Sequence, residues 1–490
     1  MLARGAFKRV RPLEGIGTSN LHFPPVIRLR ADDRNTPIPG PIRKGMFNDG
    51  HNLRPHRRHA ARVMHLHRNC HTAKNITAPP APANPAPPVT PVSIGFAAEA
   101  AVSCINVCKA EMIVSFGIRR SPMSLRNGLR LLAIVILTVG LADAQTIPPA
   151  TAKRIDEIVA KAITEQQIPA ISVAIALNGQ MQYQKAFGKA DLENNVSATP
   201  ETLFRTGSIA KPMTAVAAMR LVEDGKLDLD APIQKYCPAF PQKPWTITAR
   251  EMLGHISGVR HYKEGEMDNT HHYPKLSDGF AIFANDPLLF EPETNYQYST
   301  YGFSVIGCAL EGAAGRSYPE IMQQLVFAPA HMAHTFPDDV FEIVPHRARG
   351  YSKRTAQVIN AGLMDSSYKI PGGGYVSTPG DLVTLADALL AGELVKPGTL
   401  KLMWTSQKLR DGKNTGYGMG WGVGQFEGED IAAHAGGQQG ASSSLTIYPK
   451  RKMVVAVMIN MDEADATQID HQISAVLLKD VFGVESDSQR

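Results

Sequence analysis

The chain has 490 residues, 43% of them hydrophobic, and a formal net charge of +6. Residues 1–122 hold 18 Lys and Arg against 6 Asp and Glu, so the rest of the chain is mildly acidic at −6, which removes the general electrostatic argument for a nucleic-acid partner. Three of the five cysteines (Cys70, Cys104, Cys108) lie in that first segment, and the remaining two, Cys237 and Cys308, are too few for a disulfide framework and have no zinc-ligand spacing.

Residues 1–122 do not read as a domain. They hold 15 of the 35 prolines and 7 of the 16 histidines, and residues 78–88 are an extended, low-complexity Pro-Ala run. The segment reads either as a disordered basic or organelle-targeting extension, or as sequence upstream of the natural start. Residues 123–144 favour the second reading. Met123 opens a short basic stretch with Arg126 and Arg130, residues 131–141 are apolar, and Ala142-Asp143-Ala144 is a small-x-small cleavage site before Gln145. Residues 123–144 therefore read as a secretory signal peptide, too short to cross a bilayer as a helix. The expectation is an exported protein, periplasmic or secreted, starting at Met123. An organelle-targeted protein, or one anchored by an uncleaved signal, is the alternative.

Helical spacing then covers 152–165. Residues 170–177 and 180–189 flank Asn178-Gly179, a strong hairpin signal. A helix is predicted over 208–224, with Gly225 at its C-terminal end. Residues 226–360 read as mostly helical with many turns and include an apolar helix over 304–313. A helix over 381–391 is followed by strands over 417–423, 431–434, 442–448 and 453–460, with a turn at Pro449-Lys450 and a closing helix over 469–481. Helix and strands at the start thus pair with strands and helix at the end. This predicts one discontinuous α/β domain, a helix-rich lobe inserted into it, and a cleft where the two meet.

Ser208 and Lys211 stand three residues apart where the 208–224 helix begins, so one turn places them on the same face. Pro212 is tolerated there because the first helical N–H groups have no intrahelical partner. A serine hydroxyl with an amine beside it is a way to make a nucleophile. The four-residue pattern is short, and it recurs at Ser366-Ser367-Tyr368-Lys369. There Pro371 and Gly372-Gly373-Gly374 argue that no helix can continue. Two further stretches join the first pair: Tyr298-Ser299-Thr300, entering the apolar helix, and His434-Ala435-Gly436-Gly437, ending a strand.

In this order the three stretches resemble the three-part motif of the penicillin-recognising serine hydrolases, in the branch whose middle element starts with tyrosine: class C beta-lactamases, DD-peptidases and related esterases. Leu253-Gly254-His255, Gly373-Gly374-Tyr375-Val376-Ser377-Thr378 and Asp381-Leu382 are similar to that family as well. Gly225-Lys226-Leu227-Asp228, His255-Ile256-Ser257-Gly258-Val259-Arg260-His261-Tyr262 and His434-Ala435-Gly436-Gly437-Gln438-Gln439-Gly440 resemble the serine beta-lactamase-like subfamily whose animal members are mitochondrial peptidases. The resemblance implies a beta-lactamase/transpeptidase-like α/β fold over 150–482, an antiparallel sheet flanked by helices plus a helix-rich lobe. It also implies a serine hydrolase acting through an acyl-enzyme without cofactor. Ser208 would be the nucleophile, with Lys211 or Tyr298 as its base. The N–H groups of Ser208 and Gly437 would bind the oxyanion, Gly436 would let the strand approach the substrate, and Thr300 and His434 would line the cleft.

Thr300 replaces a common asparagine, so amide contacts to substrate or to Lys211 are lost or changed. His434 replaces a common lysine and holds a substrate carboxylate less firmly near neutral pH. Both departures favour a peptidase, with a beta-lactamase or carboxylesterase second and a catalytically silent scaffold or filament former as the rival. The expected partner is a peptide or small acyl substrate, with an oligomer allowed. The pairs His331/His334 and His271/His272 lack a third ligand at suitable spacing, so no metal site is expected.

Overall fold

The computed structural model describes residues 145–485; the basic extension and signal peptide expected over 1–122 and 123–144 lie outside them. Helix α1 (Pro149–Gln166) leads into strands β1 (Ala170–Leu177), β2 (Gln180–Asp191) and β3 (Val196–Ser197). Short strand β4 (Phe204–Arg205) precedes α2 (Ala210–Glu223), and the inserted lobe follows with α3 (Ala249–Leu253), α4 (Thr300–Ala314) and α5 (Tyr318–Met322). Strands β5 (Phe336–Pro337), β6 (Tyr351–Arg354) and β7 (Gln357–Asn360), turn α6 (Ile370–Gly373), strand β8 (Tyr375–Ser377) and helices α7 (Pro379–Ala391) and α8 (Pro397–Met403) lead back to the sheet. That sheet is completed by β9 (Gly422–Phe426), β10 (Glu429–Gln438), β11 (Ala441–Tyr448) and β12 (Met453–Ile459), and α9 (Ala466–Phe482) closes it.

Seven strands form the main sheet in the order β3-β2-β1-β12-β11-β10-β9, every pair antiparallel. First and last segments meet at its centre, where Val173 pairs with Val457. Asn178 and Gly179, at φ +53° and +74°, make the tight β1–β2 turn. Both faces are covered, which explains the unbroken apolar runs of β1 and β12. Ile171, Val173 and Ile175 pack with α1 and α9, while Ala170, Ala174 and Ala176 pack with α2, α7 and the lobe. The N-terminal end of α2 therefore lies between the sheet and the lobe.

Helix α2 is apolar on nearly all sides and almost wholly buried. It ends in a Schellman motif: Gly225, at φ +68°, donates to the Val222 carbonyl and Lys226 to that of Leu221. Cys237 and Cys308 form a disulfide, tying α4 to the loop after α2 across 71 residues of sequence. Residues 226–360 are less helical than their composition suggests. Outside α3, α4 and α5 they are mostly turns, 3₁₀ segments, a π-helical turn at Gln323–Phe327 and the short strands β5 to β7. The strand expected over 417–423 begins only at Gly422, because Gly416 and Gly420, at φ +71° and +79°, break the extended run. The second Ser-x-x-Lys pair also departs from expectation: after it Ile370–Gly373 does form one helical turn, with Pro371 in the first-turn position where its missing N–H does not matter.

Candidate active site

The turn carrying Ser208 is shaped by glycine. Gly207 has φ +50°, and a Cβ on it would fall 2.7 Å from the Gly437 amide nitrogen. Ser208 sits in the 3₁₀ turn Gly207–Ile209 that runs into α2, and Lys211 follows one turn on. Lys211 is fully buried. Its Nζ lies 3.0 Å from Ser208 Oγ, 3.1 Å from Thr300 Oγ1 and 2.6 Å from the Gly372 carbonyl oxygen. Burial, aided by the nearby positive charge of Lys369, holds its pKa well below the usual lysine value. Lys211 also lies 4.7 Å from the centre of the Tyr298 ring, which favours the ammonium. That contact is worth about 2 kcal/mol when desolvated, less than the several kcal/mol of stripping water from the cation. The three hydrogen bonds also favour the ammonium, but burial is the larger effect and the pKa is lowered.

Tyr298 is held by its neighbours. Ser299 caps α4, accepting from the Gly302 N–H at 3.0 Å and donating to the Arg260 carbonyl at 2.7 Å. Arg260, itself buried, is bonded to Glu266 at 2.6 Å and to Asp286. His255, at φ +60°, holds the backbone on both sides of Tyr298: its carbonyl accepts from Gln297 N–H at 2.9 Å and its Nδ1 from Ser299 N–H at 3.1 Å. Its ring centre is 4.3 Å from that of Tyr298. His261 Nδ1 accepts from the Thr300 N–H at 3.2 Å. Burial keeps both imidazoles neutral, His261 at about 3. The Tyr298 hydroxyl is buried and makes no hydrogen bond among the described residues. Burial raises its pKa well above 10, and the approach to Ser208 acts the other way without reversing the shift.

Strand β10 forms the opposite wall. Gly436 is required by the nucleophile's own turn: a Cβ there would fall 2.1 Å from the Thr206 carbonyl oxygen and 3.1 Å from the Ser208 amide nitrogen. The Ser208 and Gly437 amides are thereby brought to the same contact, and Gly437 is exposed at its edge. His434 is 4% exposed. Its Nε2 lies 2.9 Å from the Tyr417 hydroxyl and its Nδ1 2.6 Å from the Ala435 carbonyl oxygen. Burial, with Lys211 nearby, pulls it down to about 3, so it is a neutral, fully engaged ring.

Every residue singled out in the three motifs thus meets at the N-terminal end of α2. Thr300 keeps a contact to Lys211 through its hydroxyl in place of an amide. His255 and His261, read from the sequence as structural or cleft-lining, hold the Tyr298 loop; Tyr417 and Lys369 were not assigned roles, and for Tyr417 the alternating glycines around it were the available signal. His272 Nδ1 is 2.9 Å from Asp365 Oδ2 and His334 Nδ1 is 3.6 Å from Asp381 Oδ1. Among the described residues no group of three or more His, Cys, Asp or Glu has metal-holding geometry.

The beta-lactamase family model matches residues 155–478. The chain is 28% identical to the human mitochondrial serine beta-lactamase-like protein LACTB over 421 residues, covering 64% of this chain and 77% of that protein. It is 27% identical to penicillin-binding protein 4* of Bacillus subtilis over 312 residues, covering 60% and 68%. Among solved structures it is similar to the octameric penicillin-binding protein homologue from Pyrococcus abyssi, with a TM-score of 0.59, 25% identity, and coverage of 67% of this chain and 78% of that one.

Proposed function

Since the chain belongs to the beta-lactamase family of serine hydrolases, we propose that it is a peptidase acting through an acyl-enzyme on Ser208. One observation carries this reading: a buried Lys211 of lowered pKa lies 3.0 Å from Ser208 Oγ. The neutral amine takes the hydroxyl proton as the oxygen attacks the carbonyl. Tyr298 cannot share that role as phenolate, because burial raises its pKa. Its protonated hydroxyl is suited to relay the proton from Lys211 to the departing amine. The Ser208 and Gly437 N–H groups hold the oxyanion, a donor of this kind being worth roughly 3 kcal/mol. Water then splits the ester, returning the acid product and the Ser208 hydroxyl.

His434 supports a peptide over a penicillin. Neutral and doubly engaged, it offers no cation to a carboxylate at the position where lysine is common in the family. The Cys237–Cys308 disulfide favours an oxidising compartment, in keeping with export. The test is a panel of blocked peptides, p-nitrophenyl esters and nitrocefin against the wild type and Ser208→Ala. Peptide hydrolysis lost in the variant supports the reading. Ester or nitrocefin turnover without peptide turnover would replace it by the sibling activity, and no turnover at all would favour a silent scaffold.

A further inference from the structure

The second Ser-x-x-Lys pair, passed over in the sequence for its glycines, contributes to the wall of the same cleft. Lys369 is 2% exposed. Among the described residues its ammonium makes no hydrogen bond or ion pair; it lies 5.5 and 5.7 Å from the ring centres of Tyr368 and Tyr262. A buried cation without an acceptor is costly. The carboxylates in its field are paired with other groups, although the buried Asp338 Oδ1 accepts no hydrogen bond among the described residues. Asp338 accepts from Arg205 Nε at 2.7 Å and lies 3.6 Å from Arg347, and Asp268 takes the Gln439 amide.

A second donor is left over on β10. Gln438 follows Gly437 on β10, is 4% exposed, and its Nε2 has no acceptor among the described residues. Turn α6 begins just after Lys369 and closes at Gly373, where a Cβ would lie 3.7 Å from Gly207 and 3.8 Å from the Gln438 side-chain oxygen. So α6 and Gln438 flank the turn that carries Ser208, and Lys369 is close enough to depress Lys211. Along β10, Gln438 lies on the side of Gly437 away from His434. Both leftover groups are donors, one cationic and one an amide.

We propose that Lys369 and Gln438 form a subsite for a carboxylate of the substrate. A carboxylate accepts from an ammonium and an amide at once, and charge-assisted bonds of this kind are about twice as strong as neutral ones. Burial, with Arg205 next, brings the Lys369 pKa to about 7, and an arriving carboxylate restores the full charge. This deepens the peptidase reading and rests on it. It gives the chain an anion site at a position other than the one His434 has vacated. The carboxylate belongs to a free peptide C-terminus or to an acidic side chain.

The test is a specificity ratio, which cancels any effect of Lys369 on Lys211. Two arms distinguish the sources: peptides ending in a free acid against the same peptides as amides, and blocked peptides with Glu against Gln at each position. In one arm the wild type should prefer the anion by about 10- to 100-fold in kcat/KM. Lys369→Met should bring that ratio to near one and Lys369→Arg should keep most of it. Fluorophosphonate labelling of Ser208 in each variant reports that the site is folded. A wild-type ratio near one in both arms overturns the proposal, as does a high ratio that survives Lys369→Met. Should wild-type Ser208 take no label, the hydrolase reading falls by itself. The subsite is then judged by the ratio of Kd values of the same peptides on Ser208→Ala, with the same two outcomes.

Discussion

Replacing Gly436 by alanine adds one methyl group at the tightest point of the site. It would lie 2.1 Å from the Thr206 carbonyl oxygen, 2.3 Å from the Ser443 hydroxyl and 3.1 Å from the Ser208 amide nitrogen. Ser443 cannot simply turn away, because its hydroxyl donates to that same carbonyl at 2.7 Å. The strand and the nucleophile turn must therefore part by about 1 Å, a displacement that costs on the order of 100-fold when it separates reacting groups. Losing one oxyanion donor costs about 100- to 1,000-fold in kcat, whereas overpacking costs only about 1–3 kcal/mol of stability. Gly436→Ala should thus remain folded and lose at least about 100-fold in kcat/KM, with slower fluorophosphonate labelling and a modest drop in Tm. Gly398→Ala is the control: it is exposed in α8, has no neighbour within 4 Å, and should leave the rate unchanged. A Gly436→Ala enzyme of near wild-type activity and Tm would refute the idea that β10 is held against the Ser208 turn.

Because only the neutral Lys211 amine accepts the Ser208 proton, kcat/KM should fall as pH drops through its lowered pKa. Lys369→Met removes a like charge that helps to depress it, so the acid limb should move to higher pH; an unmoved or lower limb counts against Lys211 as base. Tyr298→Phe should slow amide substrates far more than p-nitrophenyl esters, whose leaving group needs no proton, and equal losses would assign Tyr298 a positioning role instead. Replacing Cys237 and Cys308 by serine should cost up to about 4 kcal/mol in denaturant unfolding, from the loop the disulfide closes; unchanged stability would contradict the link.

The parts legible in sequence were those set by short-range physics. Asn178-Gly179 specified the first hairpin, and the apolar runs of β1 and β12 marked buried strands. Ser208, Lys211, Tyr298 and His434 were found because three motifs occurred in one order, and they do meet at the start of α2. What remained hidden depends on tertiary packing. Lys369 looked remote because its glycines argued against a helix, yet those glycines admit α6, whose Gly372 carbonyl binds Lys211 at 2.6 Å. His434 read as a partly charged residue, and only its burial against Tyr417 and Lys211 makes it neutral. The Cys237–Cys308 bond and the hold of His255 on Tyr298 join segments tens of residues apart, which no local pattern reports.

Whether Ser208 is a nucleophile activated by Lys211 is decided by treating the native protein with a fluorophosphonate and mapping the adduct by mass spectrometry. One adduct is expected, on the peptide containing Ser208, abolished by Ser208→Ala, strongly slowed by Lys211→Met and unaffected by Ser366→Ala. An unlabelled Ser208 in folded protein, or an adduct at Ser366, would contradict it.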